Sequence, residues 1–179
     1  GSLPERGDVV ILTPREQSSD YIKRVIGLPG DTIELRGGQV FLNGVGVRQD
    51  VQPDLQVPID ANSPCGVHEF PGARGVDAAG NPVCNLPIVR ETLPNGVSYN
   101  IIDLGPQYTD DVAPVEIPAG QVYLLGDNRD LSADSRVASP LGLGGPIPWE
   151  NIGGRAEFIT FSLNGTTTLN PLTWWGAFR

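Results

Sequence analysis

The chain is 179 residues long, 39% hydrophobic and 18% charged, proportions of a folded globular protein that exclude a disordered one. Its formal net charge of −9, with no basic cluster, argues against nucleic acid as a partner. No apolar run reaches the ~18 to 20 residues that cross a bilayer, and 23 Gly with 17 Pro leave little room for long helices.

That length suits one domain, or one core carrying a large insertion. Gly1-Ser2 is a dipeptide of the kind left by cleavage of a fusion and is set aside. After Arg6-Gly7-Asp8, Val9 to Leu12 reads as a short buried strand. Tyr21 to Ile26 is a second strand, stopped by the turn Gly27-Leu28-Pro29-Gly30-Asp31. Thr32–Leu35 and Gln39–Leu42 flank Arg36-Gly37-Gly38 as a hairpin, and Asn43-Gly44 is a further hairpin-turn signal. Residues from about 50 to 97 read as loop-rich. Val97 to Ile102 is a possible strand. Gln121 to Leu125 is a clear strand that feeds Gly126-Asp127-Asn128-Arg129-Asp130, and Ala156 to Leu163 closes the pattern.

The chemistry-bearing segments fall near residues 6–31 and 120–163. The expected architecture is mainly β: an antiparallel core from residues 3–44 and 113–179, with a loop-rich β subdomain inserted over 45–112. Cys65 and Cys84 lie in that insertion. Two buried free thiols are the plain alternative, but a disulfide in an oxidising compartment is preferred. A metal pair is not supported, because the single histidine, His68, has no ligand-like partners at zinc spacing. No metal or other cofactor is expected.

Lys23 is the only lysine. Side chains alternate across a strand, so Lys23 shares a face with Tyr21 and Val25, while Arg24 faces the other way with Ile22 and Ile26. Apolar neighbours penalise the charged amine and lower its pKa. An amine brought down in this way can serve as a general base; an arginine, always charged, cannot. The plain alternative is an edge-strand lysine with its amine in water. The second constellation, Gly126 to Arg136, packs carboxylates, an amide, hydroxyls and two arginines after an apolar strand. It fails as a calcium loop, because Arg129 and Leu131 occupy alternate ligand positions and no Gly sits sixth. Asp134 and Arg136 are expected to pair and fix the loop, holding Ser132 in place.

Asp20-Tyr21-Ile22-Lys23-Arg24-Val25-Ile26-Gly27-Leu28-Pro29-Gly30-Asp31 resembles the bacterial type I signal peptidase segment that contributes a general-base lysine. Gly126 to Arg136 resembles that family's GDNRDxSxDSR signature, with Leu131 where asparagine is usual. Arg6-Gly7-Asp8-Val9-Val10 and Asn151-Ile152-Gly153-Gly154-Arg155-Ala156 are similar to the segments that precede the lysine strand and follow the signature. The resemblance implies a signal-peptidase-like β core and a serine endopeptidase that removes N-terminal signal peptides. It implies Lys23 as general base, Ser132 as the hydroxyl that orients it, an Arg24–Asp127 contact, and Asp134 with Arg136 as a structural pair. The implied substrates are exported preproteins with small-x-small cleavage sites. The implied location is the inner (cytoplasmic) membrane, with the catalytic region facing the periplasm.

In the family the nucleophilic serine lies in a Ser-Met-x-Pro segment upstream of Arg-Gly-Asp. This sequence has no Met and only six residues before Gly7. The expectation is therefore a soluble, inactive fragment that lacks the nucleophile and the membrane anchor. A self-cleaving repressor type of Ser-Lys protease fits less well, lacking such a signature and such an insertion. A non-catalytic β-rich binding module of the cell envelope is the alternative from another class. Arg6-Gly7-Asp8 as an adhesion tripeptide and Asn164-Gly165-Thr166 as a glycosylation sequon are chance-level matches. Trp174, Trp175 and Phe178 are expected to pack on the core or to rest at a membrane interface.

Overall fold

The computed structural model of the protein describes residues 3–14, 19–61 and 63–156. The expected strand over Ala156–Leu163 falls beyond them except for Ala156, and the sequon and the terminal aromatics also lie outside the described residues. Thirteen strands dominate the described residues: β1 Val9–Leu12, β2 Tyr21–Gly27, β3 Thr32–Arg36, β4 Gln39–Leu42, β5 Val45–Gly46, β6 Arg48–Pro58, β7 Arg74–Val76, β8 Pro82–Thr92, β9 Ser98–Ile102, β10 Val112–Glu116, β11 Gln121–Leu125, β12 Ile147–Pro148 and β13 Ile152–Arg155. The helical element among the described residues is a single 3-10 turn, Trp149–Asn151. The described residues are thus mainly β, with antiparallel pairing between most of the named strands, as the punctuation by Gly and Pro led us to expect.

The chain forms two compact units. The first takes in the described residues up to Gln52 and from Ile88 to Ala156, and the second takes in Pro53–Pro87. The second is narrower than the insertion over 45–112 expected from the sequence.

In the first unit, one sheet has the order β12-β11-β2-β1-β13 and another the order β10-β3-β4-β5. Alternation along β2 and β11 supplies two cores. Val25, Val122 and Leu124 join Val10, Leu12 and Ile147 on one face. Ile26, Tyr123 and Leu125 join Ile33, Leu35, Val40 and Leu42 on the other. Each such side chain contributes on the order of 1.5–3 kcal/mol when buried. The Asn43-Gly44 turn closes Leu42 onto Val45, with φ of 53° and 78° at its two central residues, as a type I′ hairpin requires. Arg6 pairs with Asp31 at 2.8 Å and donates to the Ile26 carbonyl at 2.7 Å, so the first residue of Arg6-Gly7-Asp8 is used inside the fold.

Residues 50–97 are less loop-rich than the sequence suggested, because the two longest strands, β6 and β8 at 11 residues each, run through this region. β6 is an edge strand with Pro53 and Pro58 in it, a position where a missing N–H is tolerated. β8 begins at Pro82, and its Pro87 falls between the residues paired with β7 and those paired with β9. Prolines and a largely exposed edge hide both strands from an alternation rule. β10, β12 and β13, short and rich in Pro or Gly, were also not foreseen.

In the second unit, β7 pairs with the start of β8, and Cys65 and Cys84 form a disulfide with Cα atoms 5.8 Å apart. Arg74 donates to the carbonyls of Cys65 and Pro64, each at 2.8 Å.

Candidate active site

Lys23 lies in mid-β2, half-buried, with its amine 4.9 Å from the centre of the Tyr21 ring. The strand places Tyr21 and Val25 against one core and Ile26 in the other, so the face assignment made from alternation holds for these residues. Ile22 is 64% exposed and does not share the burial of Ile26. Burial holds the Lys23 amine below its ordinary pKa. Arg136 adds to that depression, while Asp134 and Asp127 oppose it. All three charges belong to the loop that follows β11.

Arg24, on the opposite face, meets Asp127 through two hydrogen bonds, Nε to Oδ1 at 2.8 Å and Nη2 to Oδ2 at 2.6 Å. It also donates to the Gly7 carbonyl at 2.8 Å and stacks over the Tyr99 ring at 4.1 Å. Strand pairing makes this contact: Arg24 lies opposite Leu125, two residues before Asp127.

Asp134 and Arg136 form a fully buried pair, with side-chain exposures of 0% and 1%. Arg136 Nε and Nη2 donate to the two Asp134 oxygens at 3.0 and 2.9 Å. Asp134 also accepts from the Gly126 N–H at 3.0 Å, and Arg136 donates to the Arg129 carbonyl. The loop is therefore cross-braced by its own charges.

Ser132 lies directly on Gly126. A Cβ at Gly126 would stand 2.1 Å from Ser132 Oγ and 2.5 Å from its Cβ, so the close approach depends on glycine. Ser132 Oγ and Arg136 Nη1 are buried without hydrogen-bond partners among the described residues. A hydrogen bond between Lys23 and Ser132 is accordingly not formed in this structure.

Two residues outside both motifs complete the arrangement. Glu91 in β8 is 0% exposed and pairs with Arg129, itself 3% exposed, through bonds of 2.9 and 2.5 Å. Tyr99 in β9 donates its hydroxyl to the same carboxylate at 2.8 Å. The Arg129 guanidinium holds the Glu91 carboxyl below its ordinary pKa against the effect of burial. The sequence carried a usable signal: Glu91 shares the strand parity of Val89, which packs on the core, and an acid on an inward position needs a cation. Among the described residues no cluster of His, Cys, Asp or Glu could hold a metal ion.

A half-buried amine held below its ordinary pKa and near the charges of a cross-braced polar loop has the properties of a proton acceptor.

The family described as "Signal peptidase, peptidase S26" matches residues 1–161. Signal peptidase I of Rickettsia typhi (strain ATCC VR-144 / Wilmington) is 33% identical over 96% of this chain and 55% of its own length. Signal peptidase I of Rickettsia bellii (strain OSU 85-389) is 32% identical over 96% of this chain and 50% of its own. The chain thus spans about half the length of the curated relatives it matches. A crystal structure of a signal peptidase I from Enterococcus faecalis V583 superimposes with a TM-score of 0.42 and 22% identity, covering 86% of this chain and 97% of that one.

Proposed function

Because the chain belongs to the signal peptidase family, peptidase S26, we propose that it is the catalytic region of a serine endopeptidase that removes N-terminal signal peptides from exported preproteins. Lys23 is the general base. Its neutral amine takes the proton of a serine hydroxyl as that oxygen attacks the carbonyl at the cleavage site. The tetrahedral adduct collapses with cleavage of the peptide C–N bond, and the Lys23 ammonium gives its proton to the leaving amine of the mature protein. The neutral amine then takes a proton from the water that hydrolyses the acyl-enzyme, and the serine hydroxyl is restored. The nucleophilic serine belongs to a segment upstream of Arg6-Gly7-Asp8. Ser132 orients the Lys23 amine once that segment and substrate are seated, a reading supported by its buried Oγ, which has no other partner among the described residues. Apo sites often tighten their catalytic hydrogen bonds only in the loaded complex.

The observation that carries the proposal is the sole lysine, half-buried under the Tyr21 ring and held below its ordinary pKa. A binding module gains nothing from a lysine so placed. The substrates are preproteins with small residues at alternate positions before the cut, and the protein works at the inner membrane on its periplasmic side. Among the described residues no helix is long and apolar enough to cross a membrane. The test is cleavage of a preprotein with an Ala-x-Ala site by the full-length protein carrying this chain. Release of the intact signal peptide, abolished in Lys23→Ala, is expected. Undiminished cleavage by Lys23→Ala would overturn the assignment.

A further inference from the structure

We propose that Glu91 is a positioning residue of the site: its buried pairing with Arg129 fixes the loop from Gly126 to Arg136 around Lys23. The proposal rests on the reading of Lys23 as the base.

The geometry makes Glu91 the anchor. Its oxygens accept from Arg129 Nη1 and Nη2, from the Tyr99 hydroxyl at 2.8 Å and from Gln49 Nε2 at 3.1 Å. Four acceptances nearly exhaust a carboxylate, so the Arg129 guanidinium is held in one orientation. From there Arg129 grips the loop at both ends. Its Nε donates to the Gly126 carbonyl at 3.3 Å, and its own carbonyl accepts from Arg136. Its N–H donates to the Ile102 carbonyl at 3.0 Å.

Gly126 is the floor under Ser132, and Arg136 fixes Asp134. Tyr99 extends the brace to β2, since the hydroxyl it gives Glu91 belongs to the ring that stacks on Arg24. A buried pair of this kind contributes little net stability compared with apolar residues of the same volume. Its value here is geometric, because it holds in register a loop that cannot hold itself by apolar packing.

Lys23 reports the state of the loop. The charged groups that face it are Asp134, Arg136 and Asp127, with the Tyr21 ring beside it. As the only lysine, it gives one ε-carbon resonance after labelling with 13C-lysine, so its titration can be followed by NMR in the whole chain. Glu91→Gln removes a negative charge, and charge alone would lower the Lys23 pKa. Loosening the loop admits water and raises it toward the ordinary value. The two effects have opposite signs. Tyr99→Phe changes no charge, keeps the ring on Arg24 and removes one hydrogen bond, so it serves where Glu91→Gln does not fold. A smaller rise is expected for it.

An upward shift in a folded variant supports the proposal. A downward or absent shift overturns it, and so does an absent shift in Tyr99→Phe if Glu91→Gln is unfolded. If Lys23 in the unaltered protein already titrates at the ordinary lysine value, the reading of Lys23 as base fails instead, and the two failures are told apart.

Discussion

Arg24 and Asp127, 103 positions apart, are joined by two parallel hydrogen bonds. They tie the lysine strand to the signature loop from the face opposite Lys23. Asp127 is 43% exposed, so solvent screens part of the attraction and the pair is worth about 1 kcal/mol. Arg24→Lys keeps the charge but loses the planar fork and the stack on Tyr99. A double-mutant cycle of Arg24→Lys and Asp127→Asn by urea denaturation should give a coupling of about 0.5–1 kcal/mol. A coupling of zero would show that the contact is incidental.

Arg136→Ala should be far more damaging. It removes one member of a pair whose side chains are 1% and 0% exposed, leaving Asp134 charged and buried. Breaking such a pair costs about 3–5 kcal/mol. Arg36 and Glu34 make a comparably short contact of 2.6 Å, but Arg36 is 60% exposed. Arg36→Ala should leave the urea midpoint in place, which makes it the control. Equal effects of the two substitutions would refute the distinction by burial.

The strands that carry Lys23 and feed the signature loop were legible because β11 and the second half of β2 are apolar runs whose side chains divide between two cores. Such residues announce their faces in the sequence. Arg24–Asp127 and Asp134–Arg136 were legible through the resemblance, and both are formed. Glu91–Arg129 was not read, because only Arg129 lies in a recognisable motif and the one signal for Glu91, its inward parity with Val89, sits in a strand whose prolines disguise it. The disulfide between Cys65 and Cys84 matched the preferred reading of the cysteine pair. The strands around it were hidden by Pro53, Pro58, Pro82 and Pro87, whose tolerance depends on edges and pairing gaps that no local pattern reveals.

Gly126→Ala tests the floor under Ser132. The new methyl would fall 2.1 Å from Ser132 Oγ, far inside contact distance, so Ser132 must move or the strand end must bend. Overpacking of this kind costs about 1–3 kcal/mol. Ser132→Gly in the same chain removes the colliding atoms and should restore most of the lost midpoint. The rescue is the decisive measurement, since damage from a backbone change at Gly126 would persist in the double variant.

Lys23→Met should make the protein more stable at low pH than at high pH relative to the parent chain. The folded pKa of Lys23 lies below 10.5, so folding disfavours its charged form. Below the folded pKa the lysine is protonated in both states, and the parent carries the whole penalty of holding the charge. Between the folded pKa and 10.5 the unfolded chain binds the extra proton, and parent stability therefore rises with pH. Above that window the amine is neutral in both states and the penalty is gone. Methionine has no such proton, so its advantage should be full below the window, shrink across it and vanish above. Urea midpoints of both chains, taken at intervals from pH 6 upward, measure this difference directly. A difference that stays constant with pH would mean that the amine is fully hydrated, and Lys23 could not then act as a base near neutrality.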